Sequence, residues 1–327
     1  MTTFINQRLR AFAAPAAIAL ACLGSAAQAQ ELSIATGGTG GVYYPYGGGL
    51  AEVIGNHVDG YTASVEVTGA SVENMALIQR GESDMALVLA DTLFQAYNGT
   101  DAFEGRQIPE ARALASIYPN AVQLVTLAGS GITSIEDLRG QRVSVGAPGS
   151  GTELSAQMIL DANGITYDDF DAQRLNFNET ADAIRDGDII AGFWSVGPPT
   201  SSIMNLAATR DIALIGFSDA EIAAAQEVEP TFAAFTLPAG MYDGMDEDVQ
   251  TMSTPNVLVV HADMDEELAY NITKAMYDNV ADLIAIHPAA NDTTVEFSVA
   301  STPIPFHPGA LRYLEEIGAG VQDHQRP

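Results

Sequence analysis

"TGGTGGVYYPYGGGLAEVI", residues 36–54, puts seven glycines and three tyrosines into nineteen positions directly after the apolar run "LSIA". Glycine in such number costs chain entropy, so the backbone here must adopt φ > 0 or admit close approach by another group. The run before it reads as a strand and the stretch after it as a helix. That makes the first glycine cluster a strand-to-helix loop. A second such loop, "GAPGSGTE" (146–153), follows the strand-like "RVSV". Successive bare amides can converge on an anion there, and the helix that follows presents the positive end of its dipole. Ser150 with Glu153 three residues on forms a capping-box pattern that fixes the start of the second helix.

The chain between and beyond these loops repeats one rhythm. "TASVEVT", "SDMALVLAD", "RALASIY", "AVQLVTLA", "DIIAGFWSV" and "DIALIGF" are apolar or alternating runs of strand length. Helical stretches alternate with them, such as "ASVENMALIQRGE" and "SDAEIAAAQE", the latter opening on Ser218 and Glu221 as a capping box. Leu268, Ile272, Met276, Val280 and Leu283 recur at helical spacing, which predicts one long helix with a buried face. Strand–loop–helix repetition indicates parallel sheets covered by helices, and the length suits two α/β lobes. In such sheets ligands bind beyond the carboxyl ends of the strands.

Residues 1–29 stand apart. Arg8 and Arg10 precede an apolar run that ends in Ala27-Gln28-Ala29, the pattern of a secretory signal peptide cleaved near Ala29. Periplasmic export is expected, and the single cysteine, Cys22, leaves with the peptide. With 42 Asp and Glu against 13 Lys and Arg, the net charge is −29, which repels nucleic acid. Five dispersed histidines offer no metal-site spacing, so neither a metal nor a cofactor is expected. A P-loop would need Gly-Lys-Ser/Thr, whereas Gly40 and Gly41 run into Val42 and Tyr43, and neither loop holds G-x-G-x-x-G. There is no G-x-S-x-G and no H-E-x-x-H, so an exported hydrolase is the weaker alternative to a binding protein.

The first stretch closely resembles the N-terminal signature of the TAXI family, the extracytoplasmic solute receptors of TRAP transporters. "TGASVENMALIQRGESDMALVLAD" (68–91), "GAPGSGTELSAQMIL" (146–160), "GFWSVGPPT" (192–200) and "IPFHPGALRYLEEIG" (304–318) are similar to the same family in the same order. The resemblance implies a type II periplasmic-binding-protein fold, an α/β architecture of two hinged lobes with an interlobe cleft. The expected division is lobe 1 from 30–121 plus 250–327 and lobe 2 from 122–249. It also implies a small carboxylate ligand, glutamate or a related five-carbon dicarboxylate, with a TRAP permease as membrane partner and a monomeric receptor. An exported ligand-binding subunit of a sensory system is the alternative within that class. Carried over by position, the first-lobe contacts are Thr36, Gly38, Thr39 and Tyr43, followed by Ser71, Val72 and Asn74. Ser150, Gly151 and Thr152 answer from the second lobe, with Trp194 at its edge beside Pro198-Pro199 and Tyr118 near the crossing between lobes. Arg112 is a candidate partner for a ligand carboxylate or for a surface acid. His287 and His307 are expected to cap and pack.

If the export reading is right, intact-mass measurement of the exported protein shows the loss of residues 1–29. An uncleaved N-terminus would contradict it.

Overall fold

The computed structural model describes residues 29–327, so the expected signal peptide lies almost wholly outside the described residues. Strand β1 (Gln30–Ala35) leads through the first glycine loop into α1 (Tyr43–His57). Strand β2 (Tyr61–Glu66) leads into α2 (Ser71–Arg80), and β3 (Met85–Leu89) runs directly into α3 (Ala90–Asn98). β1 pairs in parallel with both neighbours. β3 is buried along its whole length because it lies between β1 and β10 (Val249–His261), which is why "MALVL" is a continuous apolar run rather than an alternating one. β2 takes the outer place and alternates between half-buried and exposed residues.

The two strand-like runs "RALASIY" and "AVQLVTLA" form a single strand, β4 (Ala111–Leu127). From it the chain passes through β5 (Arg142–Ser144), α4 (Gly151–Ala162), β6 (Asp171–Gln173) and α5 (Phe177–Asp186). It continues through β7 (Ala191–Val196), α6 (Ser201–Ala207), β8 (Ile212–Ile215), α7 (Asp219–Val228) and β9 (Ala233–Leu237), then returns along β10. The strand order is β2-β1-β3-β10-β4-β7-β5-β6, with β8 on β4 and β9 on β10.

β4 and β10 carry the chain between the two halves, and each changes partner along its length. Residues 111–121 of β4 pair with β10, whereas 121–127 pair with β7 and β8. β10 pairs with β9 over 249–253 and with β3 over 256–260. Pro119 faces Pro255 at the crossing, and the register shifts between Pro255 and Val257. Neither proline can donate a ladder hydrogen bond, so the pairing is interrupted at the point where the partners change.

The C-terminal helices α8 (Glu266–Asp278), α9 (Val280–Ile286), α10 (Val295–Ser301) and α11 (Pro308–Glu316) complete the first half, α8 and α9 packing on α1. The long helix expected from the spacing 268–283 is broken into α8 and α9. Asn279 leaves helical geometry at φ −121° and its side-chain amide donates back to the Ala275 carbonyl at 2.8 Å. Two buried clusters result. The second is built on Val143, Ile159, Leu160, Phe193 and Ile222 around α4, α7 and the strands beneath them.

Several glycines in the fold serve helix packing. A Cβ at Gly47 would lie 2.6 Å from Thr36 Cγ2, and one at Gly309 would lie 2.2 Å from the Glu266 carbonyl oxygen and 2.6 Å from the Tyr270 nitrogen. Gly309→Ala therefore forces α11 away from backbone atoms of α8, and we expect it to cost about 3 kcal/mol in denaturant unfolding. An unchanged midpoint would show that the two helices part freely.

Candidate functional site

The carboxyl ends of β1, β2, β3, β5, β6 and β7 all open onto one cavity of about 330 Å³. Four helices begin at its wall: α1 with Val42 and Tyr43, α2 with Ala70 and Ser71, α4 with Ser150 to Thr152, and α5 with Asn176 and Phe177. Leu89, Ser195 and Val196 from the strand ends and Asn120 from β4 close the floor. Among the described residues, no Asp, Glu, His, Lys or Arg lines the cavity. Its electrostatics therefore come from oriented peptide groups. Each helix N-terminus favours an anion by about 0.3–1 kcal/mol, more where it is partly buried.

The first turns are satisfied unequally. Ser150 Oγ accepts from Glu153 N at 3.1 Å and Asn176 Oδ1 from Glu179 N at 3.0 Å, so α4 and α5 carry side-chain caps. The starts of α1 and α2 have no side-chain cap. On α2, Val72 N and Glu73 N donate instead to the carbonyl of Gly149, at 3.2 and 3.3 Å, across from the second glycine loop. One half of the molecule thus caps a helix of the other. Glu73 and Glu153 hold the loops from outside, accepting from Gly69 N at 2.6 Å and Gly149 N at 3.3 Å.

The bare loops meet each other's lobe. A Cβ on Gly40 would fall 2.4 Å from Asn178 Oδ1, and one on Gly41 3.0 Å from the Phe177 ring. At Gly69 it would lie 3.0 Å from the Pro148 carbonyl, and at Gly151 2.5 Å from Leu89 and 2.7 Å from Ser71 Oγ. Among the glycines of the two loops, positive φ is found in the second, at Gly146 (105°) and Gly149 (73°), while Ala70 at the start of α2 also takes positive φ, 74°. In the first loop Gly40 and Gly41 are required by close approach, whereas a Cβ on Gly38 would meet nothing within 4 Å. Ser201 Oγ completes the seam by donating to the Gly40 carbonyl at 3.2 Å.

Beneath the cavity runs a buried polar chain. Tyr43 donates its hydroxyl to Asn256 Oδ1 at 2.5 Å, and Asn256 Nδ2 donates to Asn120 Oδ1 at 2.6 Å and to the Tyr118 carbonyl at 2.9 Å. Asn120 Nδ2 continues to the Ser195 carbonyl at 3.1 Å. Burial holds the Tyr43 phenol far above its ordinary pKa, so it is a neutral donor. Asn120 and Asn256 flank the paired prolines of the crossing strands. The sequence reading missed both, and its one available signal was a polar amide inside each long apolar strand.

A second buried group spans the seam between α3 and α4. Asp91 is fully buried, accepts from Ser155 Oγ at 2.6 Å, and is pushed up to about 6 by burial. Glu229, also buried, is pushed up to about 7 for the same reason. Gln95, one turn after Asp91, donates to Met158 Sδ at 2.9 Å, and its buried Oε1 has no partner among the described residues.

Six of the residues expected from sequence line the cavity: Gly38, Tyr43, Ser71, Ser150, Gly151 and Thr152. The others stand behind or beside it. Thr36 is fully buried and donates to the Glu66 carbonyl at 2.6 Å, tying the end of β1 to β2. Asn74 Nδ2 donates to the carbonyls of Thr36 and Leu87 at 2.7 and 2.8 Å, which anchors the first loop. Val72 offers its backbone amide to Gly149, and Thr39 Oγ1 accepts from Asn178 at 3.5 Å outside the cavity. Trp194 does not reach the cavity: it is fully buried, donates Nε1 to Ser202 Oγ at 3.1 Å, and stacks behind Phe177 at 6.0 Å. Tyr118 is likewise buried, against Tyr46 at 5.2 Å, and its hydroxyl has no partner among the described residues. Arg112 donates to the carbonyls of Pro109 and Ala111 and touches neither a surface acid nor the cavity. His287 and His307 cap helical turns through Nδ1, accepting from Ala289 N and Gly309 N.

A family model described as the NMT1-like family matches residues 34–318. Among solved structures, PhnD1 from Prochlorococcus marinus, in complex with methylphosphonate, is 10% identical with a TM-score of 0.54, covering 81% of this chain and 91% of that one. A Listeria monocytogenes protein described as an L-cystine ABC transporter is 14% identical with a TM-score of 0.52, covering 82% and 98%. A Xanthomonas citri protein bound to ATP is 16% identical with a TM-score of 0.51, covering 90% and 99%. At such identities these likenesses establish the fold: two α/β lobes of the periplasmic-binding-protein type.

Since Gly151 allows α4 to meet Ser71 and Leu89, Gly151→Val should hinder closure. The overlap costs about 1–3 kcal/mol, roughly tenfold to a hundredfold in affinity, with the unfolding midpoint of the ligand-free protein little changed. Wild-type affinity would remove Gly151 from the closing surface.

Proposed function

The chain belongs to the NMT1-like family, and from that premise we propose that it is an extracytoplasmic solute-binding receptor that captures a small organic anion and delivers it to a membrane permease. The observation that carries this reading is the convergence of four helix N-termini from both lobes on one cavity with no charged side chain in its wall. Such a wall replaces the hydration of an anion with fixed amides and hydroxyls as the lobes close. No catalytic role is proposed. Among the described residues, Tyr43 is the only ionisable side chain in the wall, and burial holds it neutral.

The units that move are proposed to be residues 30–121 with 250–327, and residues 122–249. The partner exchanges on β4 and β10 support that division, because the ladder is interrupted at Pro119 and Pro255 between them. Tyr43, Ser71, Ser150, Gly151 and Thr152 are proposed as ligand contacts, joined by Asn120, Asn176, Phe177 and Ser195. Thr36, Val72, Asn74, Tyr118 and Trp194 position them.

The resemblance of five segments to the TAXI receptors supports a TRAP permease as the membrane partner. It also supports glutamate or a related five-carbon dicarboxylate as the first solute to test. The neighbour described as an L-cystine ABC transporter favours a second reading, delivery to an ABC permease. Periplasmic residence follows from either.

Thermal unfolding of the ligand-stripped protein against amino acids, mono- and dicarboxylates and methylphosphonate tests the receptor reading. Solute at 100 times its dissociation constant adds about 2.7 kcal/mol, a rise of about 5 °C for a chain of this size. No shift with any of them would refute an organic-anion receptor.

A further inference from the structure

Resting on the receptor reading, we infer that the solute carries no ammonium group: the site selects a 2-oxo acid over the α-amino acid of the same skeleton. Five polar side chains of the wall have already committed acceptor capacity to the protein. Ser71 Oγ accepts from Leu89 N at 3.1 Å, Ser150 Oγ from Glu153 N at 3.1 Å, and Thr152 Oγ1 from Ser195 N at 3.3 Å. Asn120 Oδ1 takes the Asn256 amide and Asn176 Oδ1 takes Glu179 N. Each hydroxyl then has its proton and one lone pair to offer, and Asn176 has its NH₂. Ser71, Ser150, Thr152 and Ser195 are all more than nine-tenths buried, so these donors face the cavity and not bulk water.

An ammonium entering this wall would find three bonds to make and no carboxylate to make them with. Three acids on or beside the elements that form the wall are engaged elsewhere. Asp91 is buried outside the wall on Thr92 and Ser155, Glu73 holds Gly69 N, and Glu153 holds Gly149 N and Arg174. The four helix N-termini add a positive field that opposes a cation and favours an oxyanion. Removing a cation from water is costly unless a counter-charge or a full set of acceptors replaces its hydration. A carbonyl in place of the ammonium removes the conflict and accepts from the free hydroxyls.

Isothermal titration of the ligand-stripped exported protein with three matched pairs tests this: pyruvate and alanine, 4-methyl-2-oxopentanoate and leucine, 2-oxoglutarate and glutamate. In whichever pair binds, the oxo acid should be tighter by roughly tenfold or more, the worth of one well-placed charge-assisted interaction. Asn176→Asp, which keeps the helix cap and adds a carboxylate to the wall, should weaken the oxo acid and narrow or reverse that ratio. An amino acid bound as tightly as its oxo partner, or a ratio unmoved by Asn176→Asp, overturns the inference and leaves the receptor reading standing. Silence across all six compounds overturns both for small carboxylates.

Discussion

Closing these two lobes means bringing four helix N-termini together. α1, α2, α4 and α5 aim their first turns into one space of about 330 Å³, and like dipole ends repel. Part of that repulsion is relieved within the protein. The Gly149 carbonyl from one lobe accepts from Val72 N and Glu73 N of the other, and the Glu73 and Glu153 carboxylates sit against the loops from outside. What is left is a positive potential that no charged side chain offsets among the described residues of the wall, in a chain whose net charge is −29. The acidic surface and the anion-seeking cavity do not conflict. Surface charges are screened over about 10 Å of salt solution, while the helix ends act at contact distance inside the cleft.

The glycines are what make that convergence sterically possible. At Gly40, Gly41, Gly69 and Gly151 the missing Cβ is replaced by an atom of the opposite lobe, at 2.4 to 3.0 Å from where it would lie. Among the glycines of the two loops, left-handed backbone is needed at Gly146 and Gly149 of the second. Contact across the seam and access to the backbone amides are thus obtained from the same residues, and neither could be changed without the other.

How much of this was legible in the sequence depended on whether a residue's role was local. Strand–loop–helix units are written in neighbouring residues, so the two-lobed α/β fold and both glycine loops could be read directly. Ser150 and Ser218 announced their caps through Glu153 and Glu221, three positions on. Thr36, Asn74 and Trp194 carry the right residue types for a site, yet their partners are Glu66, Leu87 and Ser202, chosen by the packing of strands and helices that no spacing rule encodes. Asn120 and Asn256 went unread for the converse reason. Each lies within a long apolar strand, and their pairing spans 136 residues. The break at Asn279 was hidden because the apolar spacing continues through it.

The crossing of β4 and β10 and the cavity are therefore one construction. Pro119 and Pro255 interrupt these two strands where their partners change, and the residues next to them, Asn120 and Asn256, recover hydrogen bonding by turning to each other and to Tyr43 and Ser195. A change of angle at the crossing must move the Tyr43 hydroxyl relative to the Ser195 carbonyl, because two asparagine side chains are all that separates them. Burial makes breaking this chain expensive, since each amide stranded without a partner costs about 1–3 kcal/mol. The observed arrangement is thereby held from below by the amides and from the seam by the glycine contacts. On the proposed receptor reading, an anionic solute supplies the remaining term, at the point where the positive helix ends meet.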